Sequence, residues 1–462
     1  MLFKIAVRNI RRNGRRSVVT LLAIAIGAIS MVLFGEFAAY IKTALETNAV
    51  EKVGHLTVFR AGYFDYGAGN PAAFGIDNYR HIMRMLQEDP QIKPKLNVIT
   101  PTVSLTGIAG NFSIDTSKTF LGTGYVPSDR DLLLRWDQHG VMSRRVRPPS
   151  GLSDRDESLG IVGLGLARVL GLCEPLKLAG CPPRPLPAVA NVAPPDATIT
   201  AMSRIDAADV APAATGPRLD LLAATASGAP NVLSLFVSRA EPQGARELDE
   251  NVILMNFGLA QKLLYGRAEP KATAIVLQLH QTSDMGSVRT RLEQLFQEKH
   301  LDLEVRNFAD REPFYKQAVG MFGAIFLFIA NIVGVIVLFT VVNTMGMSVV
   351  ERTNEIGTAR AMGVRRSGIR RLFIVEGAIL GALGATVGVG MAQLIAILFN
   401  RTGATWTPPG QAARVPLEVM TSEVGGLLLG IWVGLVVLAT MAAAFPANRA
   451  ARLKVVDALR HV

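Results

Sequence analysis

The chain has 462 residues, half of them hydrophobic and 18% charged, with a positive mean hydropathy of +0.31, a balance that excludes an ordinary water-soluble domain with evenly spread apolar residues. The formal charge of +11 invites a nucleic-acid reading, but its distribution beside apolar runs argues against one.

Residues 1–17 carry Lys4, Arg8, Arg11, Arg12, Arg15 and Arg16 and no acid. Leu2, Phe3, Ile5, Ala6, Val7 and Ile10 are interleaved with those bases, so residues 2–12 are expected to lie as an amphipathic helix at the inner headgroups. The apolar run 18–39 follows, longer than a cleaved leader's core, and reads as an uncleaved signal anchor. Further runs occupy 318–345, 372–399 and 424–445. Each reaches the roughly 20 residues that a helix needs to cross a bilayer, and lipid forces such runs to be helical.

The short connections share one sign. The loop 346–371 holds Arg352, Arg360, Arg365, Arg366, Arg370 and Arg371 against Glu351 and Glu355, and the tail 446–462 holds Arg449, Arg452, Lys454 and Arg460 against Asp457. With residues 1–17, these segments carry more positive charge than the whole chain, so the remainder is slightly acidic. The positive-inside rule therefore predicts cytoplasmic termini and a cytoplasmic 346–371 loop, with 40–317 and 400–423 outside.

The 40–317 segment reads as mixed α/β. Strands are expected at 56–59, 98–105, 232–237, 272–279 and 303–308, and helices at 77–88 with Asp77 as N-cap, 256–265 and 285–298. The last helix lies between two strands, a βαβ-like order. Residues 174–218 hold nine of the chain's 24 prolines and read as an irregular insertion that splits this domain into an early and a late half. Cys173 and Cys181 are the chain's two cysteines; a disulfide and two free thiols are both open readings.

Catalytic signatures are missing from this stretch of sequence. It contains no G-x-x-x-x-G-K-[ST] phosphate loop, no H-E-x-x-H and no G-x-S-x-G, so no site for a metal or a nucleotide cofactor is expected and ATP hydrolysis is assigned to another polypeptide. Gly122-Thr123-Gly124 and Gly163-Leu164-Gly165 are too short for dinucleotide fingerprints and read as turns. Glu36 and Glu376 fall near span ends, where each is expected to reach an interface, Glu376 beside Arg370 and Arg371. Gly377, Gly381, Gly384 and Gly388 in the third span, and Gly426, Gly430 and Gly434 in the fourth, recur at spacings that allow close helix approach, and the two spans are expected to pack on each other through them.

The 346–371 loop is the most informative. Val349, Arg352, Ile356, Ala359 and Gly363 recur at helical spacing, Gly363 is suited to end a helix, and Ser367 to cap the next. The run Glu351-Arg352-Thr353-x-Glu355-Ile356-Gly357-x-x-Arg360-Ala361-x-Gly363 resembles the corresponding loop of MacB/FtsX-like ABC transporter permeases. So do Phe373-x-x-Glu376-Gly377-x-x-x-Gly381, Phe445-Pro446-Ala447-x-Arg449-Ala450-Ala451-Arg452 with Asp457-Ala458-Leu459-Arg460, and Ala6-x-Arg8-Asn9-Ile10-Arg11-Arg12.

The resemblance implies a type VII-like membrane protein: four transmembrane helices and a large mixed α/β extracytoplasmic domain between spans 1 and 2. In layout it is nearest to the lipoprotein-releasing LolC/LolE-type permeases. It implies a bacterial inner-membrane permease subunit, dimeric with a second copy or paralogue. A separate cytoplasmic ATPase would bind ATP and Mg, and an outer partner in the periplasm or outer membrane belongs to the same picture. Motion would pass to the periplasmic domain to export or extract a lipoprotein, lipid, peptide or drug. Arg352, Glu355, Ile356, Gly357, Ala359, Arg360 and Gly363 are the expected ATPase-coupling residues, with Ile356 and Ala359 entering the partner's groove and Glu355 and Arg360 fixing register. A membrane-anchored sensor or scaffold with a ligand-binding ectodomain is the alternative from another class.

Overall fold

The computed structural model describes residues 2–12, 14–67, 69–140, 150–178, 181, 216–243, 246–407, 414–422 and 424–453. They form two compact units, one of residues 1–45, 314–406 and 415–462, the other chiefly of residues 46–313.

In the first unit, α1 (Leu2–Arg12) precedes four helices long and apolar enough to span a bilayer: α2 (Gly14–Val53), α10 (Pro313–Glu351), α12 (Arg366–Arg401) and α13 (Gly425–Ala451). Each extends beyond the apolar run that predicts it, because polar residues at the ends continue the hydrogen-bond ladder. Between α10 and α12 lies the short α11 (Thr353–Ala361). A small hairpin, β10 (Thr405–Trp406) with β11 (Val415–Pro416), follows α12.

Small residues decide how these helices meet. A Cβ on Gly381 would stand 2.8 Å from that of Ala439 on α13, and one on Gly377 would collide with Ala443. Gly384 and Gly388 meet α2 instead, at Ile24, Ala25 and Ala28. The expected packing through Gly426, Gly430 and Gly434 is corrected, since an added Cβ at any of them meets nothing within 4 Å. They line an open apolar groove with Gly334 and Leu338 of α10. The shared spacing misleads because α13 turns its alanines, not its glycines, toward α12.

Both intramembrane carboxyls are also corrected. Glu36 is fully buried and bound by the Gln393 amide, so it does not reach an interface. Glu376 faces inward, away from the exposed Arg370 and Arg371, because residues five and six positions earlier lie on another side of the helix.

The second unit holds β1 (Leu56–Arg60), α3 (Tyr79–Glu88), β2 (Leu96–Asn111), β3 (Thr116–Tyr125), α4 (Pro127–Leu133), β4 (Leu159–Gly163), α5 (Leu164–Val169), β5 (Arg218–Ala224), β6 (Pro230–Glu241), α6 (Arg246–Asp249), β7 (Val252–Asn256), α7 (Phe257–Tyr265), β8 (Ala274–Leu279), α8 (Met285–Glu298), β9 (Leu303–Asn307) and α9 (Phe308–Arg311). Two substructures share the long strand β2. Its first part joins the order β9-β1-β8-β2, with every neighbour antiparallel. With α3 after β1 and α8 after β8, this is a βαββαβ layer of ferredoxin-like topology. The βαβ order expected at the end of the domain is present with β1 inserted between its two strands. Val288, Leu292, Leu295 and Phe296 of α8 and Ile82 and Leu86 of α3 enter the core, as amphipathic spacing requires.

The second part of β2 pairs with β3 on one side and β5 on the other, and the chain of pairings β2-β3-β7-β4-β6-β5 returns to β2. That closure makes a six-stranded barrel, filled by Leu105, Phe120, Leu221, Leu235, Ile253 and Met255, and it removes the edges an open sheet would expose. The barrel is inserted between the two halves of the ferredoxin-like layer.

Cys173 and Cys181 are joined by a disulfide, S–S 2.06 Å. The proline-rich stretch expected to be irregular lies largely outside the described residues. Asp77 does not cap α3. That helix starts at Tyr79 after Asn78 in a left-handed conformation, and Asp77 instead pairs with Lys271 at 2.8 Å.

Candidate functional site

The site is built around α11. Arg352, where α10 ends and α11 begins, has a non-helical backbone (φ −103°, ψ 14°), so the chain bends there while its side chain stays buried. The helix ends in a Schellman arrangement: Gly363 N–H donates to Arg360 O at 3.1 Å and Val364 N–H to Ala359 O at 3.1 Å. Gly363 has φ +96°, a conformation that glycine adopts without a Cβ penalty. Ser367 does not cap α12; Arg365 holds that position without a side-chain hydrogen bond.

The sequence-predicted coupling residues divide into two groups. Ile356 and Gly357 are buried against the membrane unit and Ala359 is half-buried beside the same core, so the expected insertion of Ile356 and Ala359 into a partner's groove is corrected. The apolar periodicity is real, but it packs α11 onto its own protein. Glu355 and Arg360 are likewise engaged within the chain. Arg360 donates from Nη1 to Ala451 O at 3.2 Å and Leu453 O at 2.8 Å, meeting carbonyls left open at the end of α13. The outward surface is Asn354, Thr358, Ala361, Met362, Gly363, Val364 and Arg365, with Met362 76% exposed.

A polar ring closes behind α11. Arg352 Nη1 lies 3.1 and 3.3 Å from the two carboxylate oxygens of Glu376 on α12, and its guanidinium sits 5.4 Å from the Phe373 ring centroid, a cation–π contact. Asn9 of α1 donates to the same carboxylate at 2.6 Å. On its other side Arg352 Nε meets Glu355 at 3.4 Å, and Glu355 is held by Arg12 of α1 at 2.8 Å. Asn9 and Arg12 are one turn apart on α1. Arg16 and Glu351 form a further pair at 2.5 Å.

Within the ring, the hydrogen bond from Arg12, aided by Arg352, keeps the Glu355 carboxyl below the usual carboxylate range. Asn9, Arg352 and Glu376 are buried, whereas Arg12 and Glu355 are half exposed. A buried charge pair persists only where its remaining polar atoms are also met, and Asn9 meets one.

Sequence reasoning does not single out Asn9 as a partner of Glu376. The available signal is that Asn9 is the one uncharged polar residue of α1 and lies a turn from buried Ala6, and a polar group on an apolar face needs a hydrogen-bond partner.

Residues 324–455 match the FtsX-like permease C-terminal family, a span that includes α11, Glu376 and all of α13. Relatives agree. The macrolide export ATP-binding/permease protein MacB of Shewanella sp. (strain W3-18-1) is 35% identical over 119 residues, which is 26% of this chain and 16% of that protein. The probable syringafactin export ATP-binding/permease protein SyfD of Pseudomonas syringae pv. tomato is 28% identical over 216 residues, 47% of this chain and 27% of that protein.

Residues 324–455 carry an FtsX-like permease C-terminal domain, and the chain is similar to MacB-type ABC permeases.

The matched stretch thus spans about a quarter or less of these relatives' own length. Among solved structures, the extracellular domain of the transporter YknZ from Gram-positive bacteria aligns with 55% of the permease and 99% of that chain at 11% identity and a TM-score of 0.29. The periplasmic region of MacB from Actinobacillus actinomycetemcomitans aligns with 58% and 95% at 12% identity and 0.28. In the permease, the motif around Arg352 and Glu376 is the ring just described.

Proposed function

We propose that this permease passes ATP-driven motion of an ATPase to its α/β domain, with α11 as the element the ATPase touches. The carrying observation is the two-sidedness of α11. One face is locked to α1, α10, α12 and α13 by Ile356, Gly357, Arg352, Glu355 and Arg360, and the other presents Met362 and Val364 at a glycine turn. A helix so anchored moves with the membrane helices when pushed, and its apolar tip supplies a small contact for a groove.

The charge pattern supports cytoplasmic termini and a cytoplasmic α11 in a bacterial inner membrane, with the α/β domain outside. ATP and Mg would be bound by the ATPase. The relatives' names favour export of a macrolide- or lipopeptide-like cargo, within the broader class of lipoproteins, lipids, peptides and drugs. Exposed Phe328 and Phe339 on α10, the least buried of the four spans, favour a second permease beside it.

Affinity capture of the tagged full chain from its native membranes tests the reading. An ABC ATPase is expected to co-purify, and Met362→Glu with Val364→Glu to lower its recovery at least tenfold while the permease still inserts. Full recovery with that variant removes α11 as the contact. Capture of no ATPase at all returns the sensor or scaffold reading.

A further inference from the structure

We propose that Asn9 and Arg12 of α1 are positioning residues for the coupling helix: through the ring Asn9–Glu376–Arg352–Glu355–Arg12 they hold α11 at the angle at which it receives its partner. The proposal rests on the coupling reading for its purpose but not for its geometry.

Four separate observations converge on it. Asn9 spends its amide on Glu376, a buried carboxylate that Arg352 already binds. Arg12 reaches the far side of the same arginine through Glu355. Arg352 stands where the backbone leaves α10, so its guanidinium spans the bend between the membrane helix and α11. Arg16, at the start of α2, pairs with Glu351, the last residue of α10, and so holds the helix end from which α11 departs. Without α1, Arg352 would still neutralise Glu376, but Glu355 would lose its main counter-charge and keep only the longer contact to Arg352. A basic segment whose purpose was membrane topology needs no asparagine on its buried face, and no arginine aimed at a carboxylate on α11.

The ring is charge-balanced, with two carboxylates and two guanidiniums. Its α1 arm can therefore be broken while Arg352 still neutralises Glu376. The pair Arg12–Glu355 is half exposed, so its loss is mild, whereas removing a partner from the buried Arg352–Glu376 pair is severe.

The test uses the full-length permease in nanodiscs, alone and with its captured ATPase. Amide hydrogen exchange of residues 353–361 reads the position of α11 without any ATPase. Arg12→Glu is expected to speed that exchange roughly fivefold, the scale of an exposed ion pair, and Asn9→Ala likewise. Arg12→Lys, which keeps a cation opposite Glu355 and leaves the Glu355–Arg352 contact in place, is expected to stay near the wild-type rate. In the complex, Arg12→Glu should lower permease-stimulated ATP hydrolysis while ATPase recovery stays unchanged. Joining Arg12→Cys to Glu355→Cys with a short bismaleimide should return stimulation, because a covalent strap replaces the ionic one.

Unchanged exchange in Arg12→Glu and Asn9→Ala, or no cross-link between the two thiols, overturns the proposal. So does a cross-linked protein that remains unstimulated, which would place Arg12 on the ATPase itself. Failure of the coupling reading is distinguishable: Met362→Glu with Val364→Glu would leave ATPase recovery intact while the exchange results stand.

Discussion

Gly388 of α12 and Ala28 of α2 approach so closely that a Cβ added to the glycine would stand 2.5 Å from the alanine's Cβ and 2.6 Å from the carbonyl oxygen of Ala25. Both neighbours are fixed to a helix backbone, so neither can move aside as a flexible side-chain tip would. Gly388→Leu is expected to destabilise the α2–α12 contact by about 1–3 kcal/mol, the range for overpacking. Gly430→Leu, facing the open groove, should be near neutral. Thermal unfolding of the two variants in the same detergent separates them, and equal losses would contradict the packing described.

The Arg352–Glu376 pair is a buried ion pair of the membrane unit. Glu376→Ala is expected to lower stability by roughly 3–5 kcal/mol, since it strips the buried Nη1 end of the Arg352 guanidinium of its partner. The double substitution Arg352→Met with Glu376→Leu removes both charges and should recover most of that loss. Denaturant titrations of the single and double variants give the coupling directly.

His55 gives the α/β domain a pH dependence. Its ring is fully buried, Nδ1 accepts from Leu279 N–H at 3.0 Å, and Nε2 lies 3.2 Å from Thr282 Oγ1. Desolvation lowers its pKa from 6.5 to about 4. The unfolded chain therefore binds a proton between those values while the folded protein does not, so stability rises with pH across that window. The contribution, on the order of 3 kcal/mol, is present above pH 6.5 and lost as pH falls toward 4. His55→Gln should flatten this part of the stability profile, and an unaltered slope would assign the dependence to other groups.

The disulfide between Cys173 and Cys181 closes a short loop, sequence separation 8. In the chain-entropy account such a loop contributes about 2–3 kcal/mol. Cys173→Ser should lower the unfolding midpoint accordingly under non-reducing conditions and change nothing under reduction. Peptide mapping that recovers both thiols free from the native protein would contradict the pairing.

Side assignment follows from charge and is checked by labelling. Cysteines placed at Arg365 and at Ser227 should respond oppositely to an impermeant thiol reagent added outside intact cells, the second reacting and the first resisting. Labelling of position 365 from outside would invert the proposed topology.

Four spans, their helical state and the α/β character of the segment between the first two were legible from sequence, because each is written in local composition. An apolar run of bilayer length leaves the backbone no alternative to a helix, and period-two or period-3.6 patterns report which local structure buries its apolar face. α8 is legible for that reason to its ends. What such patterns lack is the identity of the covering surface. The spacing of Ile356 and Ala359 says that one face of α11 is apolar, yet it reads the same whether a partner or the protein's own membrane helices cover it. Glu376 could be matched by Arg371 in sequence, but side-chain direction on α12 turns it instead to Arg352 and to Asn9, 367 residues away. The barrel is of the same kind: strand patterns mark β2 and β6 without recording that β2 is shared between two substructures. Which of two equally apolar or equally charged neighbours is taken depends on the three-dimensional path of the whole chain, since burial and hydrogen bonding are satisfied by proximity in space and not by order in the sequence.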